Sequence, residues 1–259
     1  MNYLIICFTA LAGSALTFFS GFGLGTILLP VFALFFPIES AVALTAVVHF
    51  LNNIIKLVLF AKHADKSIVL KFGIPSVIGA LAGAYLLNLF SDMQPLHSYQ
   101  LSSDGKIFHI TYLKLFLSFL MIFFALFDLI PKLSQLSFDR KYLFFGGAVS
   151  GFFGGLSGHQ GALRSAFLIR LSLSKEIYIA TGVTVACMVD VSRLSVYAQH
   201  IKNFGDTINY HLLIAATLSA FAGVFIGSKL LKKITVTAIQ YIVATMLIAI
   251  GILLGAGII

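Results

Sequence analysis

Charged residues are scarce in this sequence. Asp, Glu, Lys and Arg together make up 10% of its 259 residues, while 59% of the residues are hydrophobic. A soluble domain carries about 25% charged residues, so this chain has too few charges to cover a soluble surface. The composition therefore excludes an ordinary soluble protein and predicts an integral membrane protein that lies in a lipid bilayer.

Cysteine is scarce too, since Cys7 and Cys187 are the only two. Both lie in apolar runs, so they provide neither a disulfide framework nor the spacing of a metal site. We expect both to be packed core residues, and we expect no metal and no cofactor. The formal net charge is +8. Because the basic residues cluster in short loops, the preference of Lys and Arg for the inner side of a membrane explains this excess better than nucleic-acid binding does.

Ten apolar segments predict an all-α, polytopic transmembrane protein. Several are as long as the roughly 20 residues that span the hydrocarbon core, whereas the second and the seventh are short. Short segments interrupted by glycine, at corresponding places in two halves of a transporter, are typical of broken-helix hairpins beside a binding site. The ten segments are residues 3–20, 22–36, 40–61, 68–90, 112–130, 142–157, 160–172, 176–198, 207–230 and 236–258.

The sequence repeats itself at an offset of 137 residues. We predict a single transmembrane domain over 1–259, made of repeat 1 (1–136) and repeat 2 (137–259). Each repeat has about five segments, and because five is an odd number the second repeat must be inverted in the membrane. After the matching helices the register changes by three, which pairs Gly83 with Gly223. The matched polar residues are Ser20 with Ser157, Gly21 with Gly158, Glu39 with Glu176, Asn53 with Asp190, Lys56 with Arg193 and His63 with His200.

The loops predict the orientation of the chain in the membrane. Lys62, Lys66 and Lys71 lie in the loop 62–71, and placing this loop inside puts eleven Lys and Arg residues inside and three outside. This distribution follows the rule that basic residues collect on the inner side. We therefore predict that both termini and the polar loop 91–111 lie outside, in a bacterial-type plasma membrane.

Two segments carry polar residues on one helical face. His49, Asn53 and Lys56 are spaced by four and three residues, so they share one side of the third segment. Asp190 and Arg193 stand at matching places in the eighth segment. Two interpretations stay open for the basic residues: they bind an anion that crosses the membrane midplane, or each only extends its charged end to the interface.

Two glycine-containing links provide further candidates, FSGFGLG at 19–25 and LSGHQGA at 156–162. A break in a helix exposes N–H groups at the new N-terminus, where the macrodipole favours an anion. Arg164 could form bidentate hydrogen bonds with a sulfonate or a sulfite. The alternatives are tight helix packing at the links and a loop-facing Arg164. The candidate substrate-binding residues near the links are Ser20, Gly21, Gly23, Ser157, Gly158, His159, Gln160, Gly161 and Arg164.

The sequence resembles the TauE/SafE family of membrane permeases. The resemblance lies in GTILLP at 25–30, in the helix that follows, and in GGLSGHQGALRSAFL at 154–168. It covers nearly the whole chain, including the two-unit architecture. It implies a permease that exports or takes up sulfite and organosulfur anions such as sulfonates.

We therefore expect a secondary transporter rather than an enzyme. The expected substrate is a small anion, namely sulfite, a sulfonate or a related organosulfur anion, which crosses by alternating access around a midplane site. The expected partners are this anion and the lipid bilayer, with a proton or a sodium ion as the candidate coupling ion.

Two alternatives belong to other functional classes. The sequence GLSG at 155–158 matches the GxSG of rhomboid intramembrane serine proteases, in which His200 or His211 would act as the base for Ser157. Against this, Ser-Gly recurs at 20–21, and the chain has no tryptophan for the Trp-Arg loop motif of rhomboids. A membrane receptor or assembly protein without transport is the second alternative, and no sequence feature favours it.

Overall fold

All ten predicted segments are helical, with ends that agree to within a few residues. A computed structural model describes residues 2–20, 23–100, 105, 107–134, 136–203, 209–230 and 236–259. The α-helices are α1 (Asn2–Ser20), α2 (Leu24–Ala33), α3 (Ile38–Phe60), α4 (Lys66–Ile68), α5 (Ile74–Ser91), α6 (Tyr112–Leu129), α7 (Pro131–Ser134), α8 (Leu143–Ser157), α9 (Gly161–Leu168), α10 (Lys175–Asn203), α11 (Tyr210–Leu230) and α12 (Val236–Gly255).

Tighter and wider helical turns join several of these helices. A π-helical turn, Val69–Gly73, connects α4 to α5, so that the polypeptide is continuously helical from Lys66 to Ser91. Single 3₁₀ turns follow α3 (Ala61–His63), precede α8 (Arg140–Tyr142) and follow α9 (Ile169–Leu171). The sequence patterns did not predict the π-helical turn.

Five helices within the described residues are long and apolar enough to cross a membrane. They are Ile38–Phe60, Lys66–Ser91, Tyr112–Leu129, Lys175–Ala198 and Tyr210–Lys229. Three further apolar helices are shorter, Tyr3–Thr17, Leu24–Ala33 and Gln240–Gly255. These lengths agree with the predicted all-α, polytopic membrane protein.

Polar side chains fix where the long helices begin. Glu39 and Glu176 lie in the first turns of α3 and α10, where a negative charge interacts favourably with the helix dipole. Thr111 Oγ1 accepts a hydrogen bond of 3.1 Å from the Lys114 N–H and so caps α6. Ser174 Oγ accepts one of 3.3 Å from the Ile177 N–H at the start of α10.

A small antiparallel hairpin lies in the long polar loop between α5 and α6. Strand β1 (His97–Gln100) pairs with β2 (Ile107–Ile110), and His97 stands opposite Ile110. The Tyr99 hydroxyl donates a hydrogen bond of 2.6 Å to the Ala256 carbonyl, which follows α12. The hairpin, which the sequence did not predict, thus fastens this loop to the end of the last helix.

Four helix pairs supply the main packing. Helix α5 packs on α8, α1 on α11, α6 on α12 and α3 on α10. Helix α2 lies in the centre with all ten residues buried, as expected of a helix that is apolar on every side. The pair α3 and α10 carries most of the polar residues of interest, so its crossing positions the candidate site.

Glycines allow the first two pairs to approach closely. A Cβ at Gly79 or Gly83 would collide with the carbonyls of Ala148 or Phe152 on α8, which confirms close packing as the role of these glycines. A Cβ at Gly223 or Gly227 would likewise collide with the carbonyls of Leu11 or Ala15 on α1.

These contacts favour a different sequence match between α5 and α11 from the one predicted. Leu11 and Ala148 are 137 residues apart, and Gly223 and Gly79 contact them respectively. The contacts therefore match Gly79 with Gly223, whereas the sequence register matched Gly83 with Gly223. The difference is about one helical turn, which glycine and alanine repeats in an apolar helix do not fix.

Candidate functional site

The second glycine-containing link interrupts the helix as predicted. Helix α8 ends at Gly158, whose φ of +81° is left-handed and whose N–H donates to the Gly154 carbonyl at 3.0 Å. His159 and Gln160 are non-helical, and α9 begins at Gly161. All four residues are buried. A left-handed glycine after the last turn is a common way to end a helix.

The first link is described only in part. Helix α1 ends at Ser20 and α2 begins at Leu24, with Gly23 in an extended conformation before it. Gly21 and the side chain of Ser20 lie outside the described residues. A Cβ at Gly25 would stand 3.6 Å from the Gly158 carbonyl oxygen. The two helix breaks therefore lie close to each other.

A buried polar cluster forms where α3 crosses α10. His49 Nδ1 lies 2.7 Å from Asp190 Oδ2, and the Asn53 amide donates a hydrogen bond of 3.2 Å to the same oxygen. All three side chains are buried. The tautomer of His49 that carries its proton on Nδ1 donates to the carboxylate. Two polar side chains of α3 and one carboxylate of α10 thus satisfy one another in the interior.

Asp190 also pairs with the basic residue one turn further along α10. Arg193 Nε donates to Asp190 Oδ1 at 3.0 Å, and Arg193 Nη2 lies 2.7 Å from the same oxygen. Arg193 Nη1 reaches the Gly154 carbonyl at 3.4 Å. Both charged side chains are completely buried, so each needs the other to offset its loss of solvation.

Lys56 lies one turn beyond Asn53 on α3 and faces a cavity. The space in and around this cavity amounts to about 490 Å³, a volume that includes the open solvent at its mouth. Lys56 and Arg164 place two basic side chains in its wall, and Gly23 brings the start of α2 to it. The lining residues are Thr17, Gly23, Leu24, His49, Asn53, Lys56, Arg164, Tyr178, Ile179, Gly182 and Val183.

Five of the predicted site residues therefore share one cavity wall: Gly23, His49, Asn53, Lys56 and Arg164. Apart from Ser20 and Gly21 at the partly described first link, the others lie behind that wall or beside the second link. Asp190 and Arg193 stand behind His49 and Asn53. Arg164 connects the two groups, since its Nη1 donates to Gln160 Oε1 at 3.4 Å.

The second link packs into the protein interior and does not line this cavity. His159 stacks on Phe124 of α6 with ring centroids 5.4 Å apart, and its Nδ1 lies 3.0 Å from Ser157 Oγ. Ser157 donates to the Phe153 carbonyl, and Gly158 packs against Arg193. Gly161 begins α9 behind them. Ser157, Gly158, His159, Gln160 and Gly161 thus support the site from one side.

Sequence patterns missed half of the cavity wall. Tyr178, Ile179, Gly182 and Val183 lie on α10 at helical spacing before Asp190, so the face that carries Asp190 would have indicated them. Tyr178 also joins α10 to α9, because its hydroxyl donates to Ser165 Oγ at 2.8 Å. Thr17 and Leu24 flank the first link, but apolar surroundings gave them no distinguishing signal.

The long apolar helices, the broken helix and the buried charges define a polytopic helical membrane protein with an internal polar site. The chain belongs to the sulfite exporter TauE/SafE family, whose family model matches residues 5–254. No curated protein and no solved structure matches the chain significantly.

Membership of this family settles the functional class. Its members are membrane transporters for anions and not enzymes. The intramembrane-protease alternative is therefore excluded. Ser157 Oγ lies 3.0 Å from His159 Nδ1, two residues along the chain.

Proposed function

We propose that the protein carries sulfite, a sulfonate or a related organosulfur anion through the cavity at the α3 and α10 crossing. The charge balance of the buried residues supports this proposal. Lys56, Arg164 and Arg193 are basic, whereas Asp190 is the acidic residue among them. With His49 neutral, these four side chains have a formal charge of +2, and an anion in the cavity would interact favourably with them.

The first broken helix adds to the attraction for an anion. Gly23 and Leu24 bring the N-terminus of α2 to the cavity wall, where free N–H groups and the helix dipole favour negative charge. The Asn53 amide and the His49 ring stand beside Lys56 on the same wall. Oxygen atoms of a sulfite or sulfonate would accept hydrogen bonds from these groups and from the Arg164 guanidinium.

In this proposal the protein has two inverted repeats, 1–136 and 137–259, which move against each other to give alternating access. Helix packing supports this arrangement, because exchanging the repeats turns the α5 and α8 contact into the α11 and α1 contact. The same exchange maps the pair α3 and α10 onto itself, and it does so for the pair α6 and α12 too. Rocking of one repeat against the other would expose a central site to each side in turn.

The distribution of loop charges supports an orientation with both termini outside, in a plasma membrane. A pair of single cysteines tests this topology in a background with Cys7→Ser and Cys187→Ser. Gln94→Cys before the hairpin and Lys141→Cys before α8 are both exposed. A membrane-impermeant maleimide should label Gln94→Cys from outside and Lys141→Cys from inside. Labelling of both from one side would overturn the inverted topology.

Flux measurements test the substrate and the coupling ion. Purified protein in liposomes should move sulfite or methanesulfonate faster than acetate or chloride. A pH gradient and a sodium gradient, applied separately, should show which ion drives uptake. Equal flux of all four anions, or flux no faster than in liposomes without protein, would overturn the proposal.

A further inference from the structure

The residues that line the cavity differ in exposure from the residues that match them in the other repeat. Moving a lining residue by 137 positions gives its mate in the other repeat, and the mate of Lys56 is Arg193. If the repeats occupied equivalent states, the mates would line a second cavity of similar openness. Six mates carry the argument: Ala41, Thr45, Ala46, Gln160, Asp190 and Arg193.

The mates are packed more tightly than the residues that they match. Val183 is 8% exposed in the cavity wall, whereas its mate Ala46 is 0% exposed. Tyr178 is half-buried, and its mate Ala41 is completely buried. Lys56 is 6% exposed and its mate Arg193 is 0% exposed. The Lys56 side is therefore the looser half and the Arg193 side is closed.

Arg193 itself helps to close that half. Its guanidinium is held between Asp190 and the Gly154 carbonyl, and a Cβ at Gly158 would stand 2.9 Å from Arg193 Nη1. Gln160 packs on Gly154 in the same way, since a Cβ there would be 2.9 Å from the Gln160 Cβ. The second helix break thus fills the space that corresponds, at the 137-residue offset, to the cavity beside Lys56.

We propose that these mates form a second, opposite cavity, which opens when the Lys56 cavity closes and receives the same anion on Arg193, Gln160 and Thr45. The inference rests on the proposed transport function and adds to it the residues of the other access state. The contact between Asn53 and Asp190 lies between the two cavities, because these residues are mates of each other and are hydrogen-bonded at 3.2 Å.

Two polar atoms at mate positions support this proposal. Thr45 is the mate of Gly182, and Gln160 is the mate of Gly23. Among the described residues, Thr45 Oγ1 and Gln160 Nε2 are buried without a hydrogen-bond partner. A buried polar group without a partner destabilises the protein. Both atoms would gain a partner if the anion entered a cavity on their side, because a hydroxyl and an amide N–H can each donate to an oxyanion.

The two cavities would differ in charge. Lys56 and Arg164 give the first cavity two basic side chains, but the mate of Arg164 is Ile27. The second cavity would have Arg193 with Asp190 beside it. The anion would therefore be held less strongly on the Arg193 side than on the Lys56 side.

Cysteine accessibility in liposomes tests the second cavity without any ligand. The variants are Ala46→Cys and, as its matched control, Val183→Cys, each in the Cys7→Ser and Cys187→Ser background. Val183→Cys should react with an impermeant maleimide from the face that carries the loop 62–71. Ala46→Cys should react at least tenfold faster with maleimide added at the opposite face than with maleimide added at the face of the loop 62–71. In the double variant, prior modification of Val183→Cys should slow Ala46→Cys at least tenfold, because one cavity excludes the other.

Three results would overturn the inference: Ala46→Cys reacts from the same face as Val183→Cys, it reacts from neither face, or it is unaffected by prior modification of Val183→Cys. A second pair, Val42→Cys and Ile179→Cys, repeats the comparison at another turn in case the first pair fails to fold. Methanesulfonate flux in the unlabelled background separates the two proposals. Flux with an unreactive Ala46→Cys overturns only the second cavity, whereas the expected labelling without flux of any tested anion overturns only the transport function.

Discussion

Lys56 and Arg193 match each other at the 137-residue offset of the sequence but have different surroundings. Lys56 follows Asn53 and lines the cavity, whereas Arg193 follows Asp190 and is completely buried in an ion pair with it. The residue one turn before the base is an amide in one repeat and a carboxylate in the other.

An amide or a carboxylate one turn earlier thus gives these two basic residues different environments. A carboxylate at hydrogen-bond distance fixes the arginine and neutralises it, so that its removal would leave an uncompensated buried charge. The amide at Asn53 carries no charge, so it does not form with Lys56 the ion pair that Asp190 forms with Arg193. His49 strengthens the asymmetry, because it bonds to Asp190 at 2.7 Å, while its mate in repeat 2 is Ala186.

The largest expected effect is on stability, at Arg193. Arg193→Leu leaves Asp190 buried without its ion-pair partner and should lower the free energy of unfolding by about 3–5 kcal/mol. Chemical denaturation in detergent micelles measures this loss. The double variant Asp190→Asn with Arg193→Leu should recover most of the stability, because it removes both charges. A single variant as stable as the unaltered protein would show that the pair is not structural.

Lys56 should show the opposite pattern, a loss of transport with little loss of stability. A hydrogen bond to a charged group contributes about 1.5–3 kcal/mol, so Lys56→Gln should raise the KM for the transported anion roughly 10- to 100-fold. Initial rates of flux in liposomes measure the effect. The exposed Lys62→Gln at the end of the same helix is the matched control and should transport normally. Unchanged flux in Lys56→Gln would mean that this lysine only extends to the interface.

The two helix contacts at glycine, α5 with α8 and α1 with α11, should differ less in the stability that a larger residue costs. A Cβ would be too close to a carbonyl at both positions, but it would come nearer to the Phe152 carbonyl at Gly83 than to the Ala15 carbonyl at Gly227, where the distance would be 2.8 Å. Overpacking of this kind costs about 1–3 kcal/mol. Gly83→Ala should therefore lower the unfolding temperature more than Gly227→Ala does. The reverse order would show that the α1 and α11 contact is the less adaptable one.

The sequence predicted the helices and part of the site because these depend on local patterns. Apolar length indicated the ten segments, and helical spacing placed His49, Asn53 and Lys56 on one face. The glycine pattern located the break at Gly158, and the 137-residue offset paired Asn53 with Asp190, which the structure brings into contact.

The remaining features depend on tertiary packing that no local pattern specifies. Tyr178, Ile179, Gly182 and Val183 share the helical face of Asp190, but helical spacing alone does not show that a cavity lies against that face. The interior position of His159 depends on its stacking with Phe124, 35 residues earlier in the chain. The predicted match of Gly83 on α5 with Gly223 on α11 differs by about one turn from the match that the helix contacts favour, because glycines recur at helical spacing on both helices.

The smallest expected effect separates backbone strain from contact with the site. Gly158 and Gly105 have similar left-handed conformations, with φ of +81° and +77°. A Cβ at Gly105 would meet nothing within 4 Å, whereas at Gly158 it would stand 2.9 Å from Arg193 Nη1. Alanine at either position should cost about 1–2 kcal/mol of stability through its left-handed backbone. Only Gly158→Ala should also slow anion flux, because it displaces the guanidinium that repeat 2 contributes. If both variants lost the same stability and both transported normally, the helix break at Gly158 would be a structural element alone, and Arg193 would not depend on its close approach.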